Sequence, residues 1–131
     1  MAAQPTPQFH GVIPPVVTPR SADGSIDTHS LTRVTKHLLE GGVHGLFVLG
    51  SSAEVPYMTN DERELVVTTI AGVNAGQVPL IVGACEQTTN RVIEEGRKMV
   101  GLGADALVVT SPFYAIPNVQ ETDTHFRSLH A

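Results

Sequence analysis

The pentapeptide Gly50-Ser51-Ser52-Ala53-Glu54 follows directly on an apolar run, Leu46 to Leu49. Glycine permits a tight turn, and the two small residues behind it can aim backbone amides and hydroxyls at one point. A carboxylate needs several donors at fixed positions, so Ser51 and Ser52 are candidates for holding one. An ordinary strand-to-helix turn uses the same residue types. Three further segments stand just after apolar runs: Thr18-Pro19-Arg20, Glu86-Gln87-Thr88-Thr89, and Ser111 to Pro117. In the last, Tyr114 lies between Pro112 and Pro117, which stiffen the loop. A phenol held in that way can relay a proton or close an interface; packing against Phe113 is the plainer reading. Glu54 is either a base or an acid that complements the start of the next helix.

Other reactive residue types carry less. The two lysines, Lys36 and Lys98, both fall inside helical patterns and read as solvated. A nucleophilic lysine needs a dry pocket that lowers its pKa, which neither position offers. The six histidines, His10, His29, His37, His44, His125 and His130, show no metal-ligand spacing and read as surface or loop residues. Cys85, the sole cysteine, excludes an internal disulfide and reads as a small buried hydrophobe. The phosphate-loop, dinucleotide-loop, zincin and nucleophile-elbow motifs are all missing, so neither a metal nor a cofactor is expected.

The elements that must position these groups alternate between two patterns. Apolar runs at 11–17, 45–49, 80–85 and 106–110 read as strands, the first weakened by Pro14 and Pro15. Between them lie helical patterns. Asp27 is the expected N-cap of the first, whose apolar face is Leu31, Val34, Leu38 and Leu39 and whose stop is Gly41-Gly42. Thr59 and Glu62 form a capping box before Leu65, Val66, Ile70 and Val73. The third helix shows Val92, Ile93, Gly96 and Val100 on one face, and the last starts at Asn118 with Glu121 three residues on. The three later strands are continuously apolar, as parallel strands covered on both faces are. The order βαβαβαβα fits either an open doubly wound sheet or half of a (β/α)8 barrel. In both, sites lie at the C-terminal ends of strands.

Composition narrows the function classes. At 131 residues, 41% hydrophobic, 16% charged and a net charge of −5, the chain reads as one soluble α/β domain. Its scattered Lys and Arg offer no stripe for nucleic acid or an anionic membrane. Residues 1–10 carry neither a basic nor an apolar leader segment and read as a flexible arm, so a cytoplasmic protein is expected.

Taken together, GVIPPVVTP, DGSID, GGVHGLFVLGSSAE, TNDER, VPLIVGA, GADALVVTSPFY and HF resemble, in order and spacing, the dihydrodipicolinate synthase / N-acetylneuraminate lyase family. The resemblance implies a (β/α)8 TIM barrel, of which residues 11–131 are the N-terminal half, ending before the fifth strand. It also implies lysine Schiff-base chemistry that joins or cleaves pyruvate and an aldehyde, in homo-oligomers built from tight dimers. Position by position, Ser51 and Ser52 match the hydroxyl pair that holds the pyruvate carboxylate, Ser51 matches a relay hydroxyl, and Tyr114 matches the tyrosine that reaches into the neighbour's relay. The sequence departs from the family with Ser-Ser for Thr-Thr, Ala53 for glycine and Phe113 for the first tyrosine. If position 53 requires positive φ, alanine there costs energy that glycine does not. The family's YNxP tyrosine and Schiff-base lysine belong to later strands and have no counterpart here, so the chain alone is expected to be inactive. The alternative is a non-catalytic half barrel that self-associates or binds a complementary partner.

Overall fold

The computed structural model describes residues 9–130, so most of the expected N-terminal arm lies outside the described residues. Four helices and three short strands follow one another: α1 (Thr28–Glu40), β1 (Leu46–Val48), α2 (Asn60–Asn74), β2 (Leu80–Gly83), α3 (Thr89–Gly101), β3 (Ala106–Val108) and α4 (Val119–His130). The strands form one parallel sheet in the order β1-β2-β3, with Phe47 opposite Ile81 and Ile81 opposite Ala106. Parallel neighbours require a crossover, which α2 supplies between β1 and β2 and α3 between β2 and β3.

The strand expected over 11–17 is reduced to a single bridge between Pro15 and Phe47. The segment still runs beside β1: Val16 N donates to Phe47 O at 2.8 Å and Phe47 N to Pro14 O at 3.1 Å. Pro14 and Pro15 have no N–H to give, so a ladder cannot propagate.

Each helix begins on a side-chain cap, which fixes where each strand-to-helix loop ends. Asp27 accepts from Ser30 N at 2.9 Å. Hydrogen bonds from the Ser30 hydroxyl and amide hold the Asp27 carboxyl below its ordinary value. The capping box of α2 closes in both directions, Glu62 N to Thr59 Oγ1 at 3.2 Å and Thr59 N to Glu62 Oε2 at 2.8 Å. Thr88 caps α3, and Asn118 with Glu121 forms a second reciprocal box before α4.

The core lies between the helices and one face of the sheet, and α1 packs on α2. Leu46, Val48, Leu80 and Val82 are buried there with Leu31, Val66, Val67, Ile70 and Met99. Two helix faces are rotated from the expected ones. On α2, Leu65 is exposed and Val67 fully buried, because α2 is wedged between α1 and the sheet and turns residues 66, 67, 70 and 74 inward. On α3, Val100 is exposed and the buried stripe is Val92, Glu95, Gly96 and Met99. An acid sits in that stripe because a cation on α2 meets it. The other sheet face is less covered: Phe47, Ile81 and Val108 are only partly buried, so the expected burial on both faces is met only on the helix side of β1 and β2, and Leu107 of β3 is exposed even there.

Candidate active site

Beyond β1 the chain reverses at Leu49, which adopts φ 57° although it is not glycine. A left-handed conformation costs a side-chain-bearing residue about 1–2 kcal/mol; complete burial of the leucine offsets it. The Leu49 carbonyl is driven against β2: a Cβ added at Gly83 would stand 2.2 Å from Leu49 O. Gly83 is therefore the residue that lets the turn close. Next come Gly50 and a 3₁₀ turn over Ser51–Ala53, then a second over Val55–Tyr57. The positive φ in this loop falls on Glu54 (61°) and not on Ala53, which is buried. Alanine at position 53 is therefore unstrained.

This loop forms one wall of a cleft of about 670 Å³ at the C-terminal ends of all three strands. Ser51 and Gly50 contribute from β1, Cys85, Glu86 and Gln87 from β2, and Val108, Thr110 and Phe113 from β3. Phe47, Val55, Pro56 and Arg63 complete the lining. Three of the four segments singled out in the sequence meet here. The fourth does not: Arg20, in Thr18-Pro19-Arg20, is taken up by Glu62 at 2.8 Å and Gly24 O at 2.6 Å.

Ser51 and Ser52 are both exposed, Ser51 on the cleft and Ser52 outside its lining. Tyr114 is 91% exposed and outside the cleft lining, although its neighbour Phe113 is part of it. Lys36 is exposed on α1 and Lys98 pairs with Glu64 at 3.0 Å on the outer face; neither lines the cleft. Cys85 is half-buried and lines the cleft, so it is more open than the sequence suggested.

One charged cluster escaped the sequence reading. Glu86, buried to 8% exposure, receives Arg63 Nη1 at 2.6 Å and Arg91 Nε at 2.9 Å, and Glu95 Oε1 lies 3.6 Å from Arg63 Nη1. Burial pushes the Glu86 carboxyl up, but hydrogen bonds and charge from Arg91 and Arg63 outweigh it and hold the group below its ordinary value. Arg91 is raised in turn by Glu86. The available signal was Glu95 itself, an acid within an apolar stripe, which demands a buried partner.

His125 also departs from the surface reading. It is 4% exposed, with Nδ1 2.9 Å from Thr89 Oγ1 and Nε2 3.2 Å from Thr110 O. A carbonyl only accepts, so Nε2 carries a proton, and in the neutral ring Nδ1 accepts from the hydroxyl. The ring ties α4 to the end of β3 and the start of α3. The other five histidines are exposed.

No helix among the described residues is long and apolar enough to cross a membrane, and no three metal-binding side chains converge there. A profile of the dihydrodipicolinate synthetase family matches residues 8–131. An uncharacterized DapA-like lyase of Halobacterium salinarum is 36% identical over 123 residues, 94% of this chain and 40% of the relative. A 4-hydroxy-tetrahydrodipicolinate synthase of Flavobacterium psychrophilum is 36% identical over 119 residues, 91% of this chain and 41% of the relative. Among solved structures, the chloride-inhibited dihydrodipicolinate synthase of Acinetobacter baumannii, complexed with pyruvate, superposes with a TM-score of 0.91 at 27% identity, covering 94% of this chain and 42% of that one. The chain therefore spans about two-fifths of the length of the proteins it matches, and its sheet is part of a (β/α)8 barrel rather than an open sheet.

Proposed function

This chain belongs to the dihydrodipicolinate synthetase family, and we propose that it supplies the carboxylate-binding side of a pyruvate-dependent carbon–carbon lyase. The observation that carries the reading is the position of Ser51, on a cleft made by the C-terminal ends of three parallel strands. In this reading residues 11–131 are the N-terminal half of the barrel. The hydroxyls and amides of Ser51 and Ser52 hold the pyruvate carboxylate and aim the C2 ketone at the barrel axis. A lysine beyond residue 131 attacks that carbon; amine and ketone join as an imine and water leaves. The imine withdraws electrons from C3, which loses a proton and adds to an aldehyde, or the steps run in reverse for cleavage. Ser51 and Tyr114 pass the protons, Tyr114 from the neighbouring subunit of a homo-oligomer. Exposed Phe113, Tyr114, Ile116 and Val119, which follow one another along one stretch of chain, support that association, since monomers seldom expose a run of large apolar side chains. The isolated chain is inactive and the setting is cytoplasmic.

Ser51→Ala and Ser52→Ala in the chain continued to the length of its relatives test the reading. Each removes a hydrogen bond to a charged group, worth about 1.5–3 kcal/mol, or roughly 10- to 150-fold in pyruvate affinity. Unchanged affinity in both variants refutes it.

A second reading rests on the partly covered sheet face and the unpaired outer edge of β3. In it the chain is a non-catalytic half barrel that covers these surfaces by pairing with another copy. A defined dimer by light scattering supports it, and a folded monomer excludes it.

A further inference from the structure

The loop after β3, which carries Tyr114, is held at Phe113 and Tyr114 by the β2–α3 connection. Two successive backbone amides, of Phe113 and Tyr114, donate to one atom, Gln87 Oε1, at 3.2 and 2.9 Å. Neither amide has a backbone acceptor among the described residues. Both partners are donors, so the Gln87 amide must turn its oxygen toward them and its orientation is fixed. At the base of the loop, Thr110 O accepts from His125, whose other nitrogen takes the hydroxyl of Thr89. Gln87 lies in the β2–α3 connection and Thr89 opens α3 directly behind it. Gln87 also lines the cleft together with Ser51.

We infer that Gln87 is a positioning residue that sets where Tyr114 stands relative to the cleft, by locking the two peptide units from which the phenol projects. The loop contains two prolines that fix φ but donate nothing, so they stiffen it without anchoring it. The anchor is the shared oxygen. An apolar side chain at position 87 leaves the loop stiff and displaced; a glutamate keeps an oxygen at the same reach. The inference rests on the relay role proposed for Tyr114, but the contact itself can be tested apart from that role.

The test is amide hydrogen exchange of the 131-residue chain by NMR. Phe113 and Tyr114 are exposed, so without an acceptor their amides exchange as freely as that of Ala115. In the wild type both should exchange about tenfold or more slowly than Ala115, a protection of about 1.4 kcal/mol. Gln87→Leu should remove the protection and Gln87→Glu restore it, with the amides of α3 unchanged in both as the check on folding. Protection that survives Gln87→Leu overturns the inference. So does protection lost in Gln87→Glu while α3 stays intact, because the acceptor oxygen is then irrelevant. Tyr114→Phe should leave the exchange rates as they are. In the chain continued to full family length, undiminished turnover of Tyr114→Phe overturns the relay role alone, and the exchange result stands independently.

Discussion

Removing the Glu86 carboxylate should destabilise the chain more than any other single charge change, and the structure sets the size. Of its two partners, Arg91 is 61% exposed at the side chain, so water and salt already screen that pair and its loss matters little. Arg63 is different, at 11% exposed, with Nε buried and without a partner among the described residues. Glu86→Ala leaves this guanidinium buried and largely uncompensated, which costs about 3–5 kcal/mol. Glu95, 3.6 Å away, takes up part of the charge, so the lower end, about 3 kcal/mol, is expected. That is a large share of the roughly 5–15 kcal/mol that holds a domain together. Urea unfolding followed by circular dichroism at pH 7 measures it. The sign with pH follows from the lowered Glu86 carboxyl. Its stabilisation is complete above the ordinary value of 4.5 and is lost as pH falls through the still lower folded value. The gap between wild type and Glu86→Ala should therefore close on acidification. The triple variant Arg63→Met/Glu86→Leu/Glu95→Leu removes all three buried charges and should lie close to wild type. A cost below about 1 kcal/mol for Glu86→Ala at pH 7 would refute the reasoning, because it would mean the Arg63–Glu86 pair is effectively solvated.

Three other outcomes are expected. Gly83→Ala forces a Cβ against the Leu49 carbonyl, a backbone atom that cannot rotate away, so it should lower stability by at least about 1–3 kcal/mol in urea unfolding. Ala53→Gly should bring no gain, since position 53 does not require positive φ, and a thermal midpoint raised by several degrees would contradict the turn geometry. His125→Phe leaves the Thr110 carbonyl and the Thr89 hydroxyl without their partner and should cost about 1–3 kcal/mol in the same unfolding assay.

What the sequence disclosed and what it hid divide along physical lines. Helix starts were legible because caps are local: Asp27, Thr59 with Glu62, and Asn118 with Glu121 each bond within three residues. The strands that begin at Leu46, Leu80 and Ala106 were legible from their apolar runs. The strand at 11–17 was not, because its apolar content and its two prolines point in opposite directions and the prolines decide. Helix faces slipped by a residue at Val67 and Met99, where adjacent apolar positions leave the buried side to tertiary packing. In the Arg63–Glu86–Arg91–Glu95 cluster the acid at position 95 was the one signal, and Arg63 lies 23 residues from Glu86, so no local spacing marks it as their partner. The same holds for His125, whose partners are 36 and 15 residues away. At the site, Ser51 was legible from its place after a strand. Gln87's hold on Tyr114 was not, because a side chain bonded to a distant backbone leaves no pattern.

The central claim is that this chain holds the carboxylate end of a pyruvate site and not the lysine. Borohydride reduction in the presence of pyruvate, followed by peptide mass spectrometry, tests it directly, since the imine is reduced to a stable secondary amine on the lysine that formed it. Run on this chain and on the chain continued to the length of its relatives, the account predicts no adduct at Lys36 or Lys98 in either, and one adduct at a lysine beyond residue 131 in the longer protein. An adduct at Lys36 or Lys98 would contradict it.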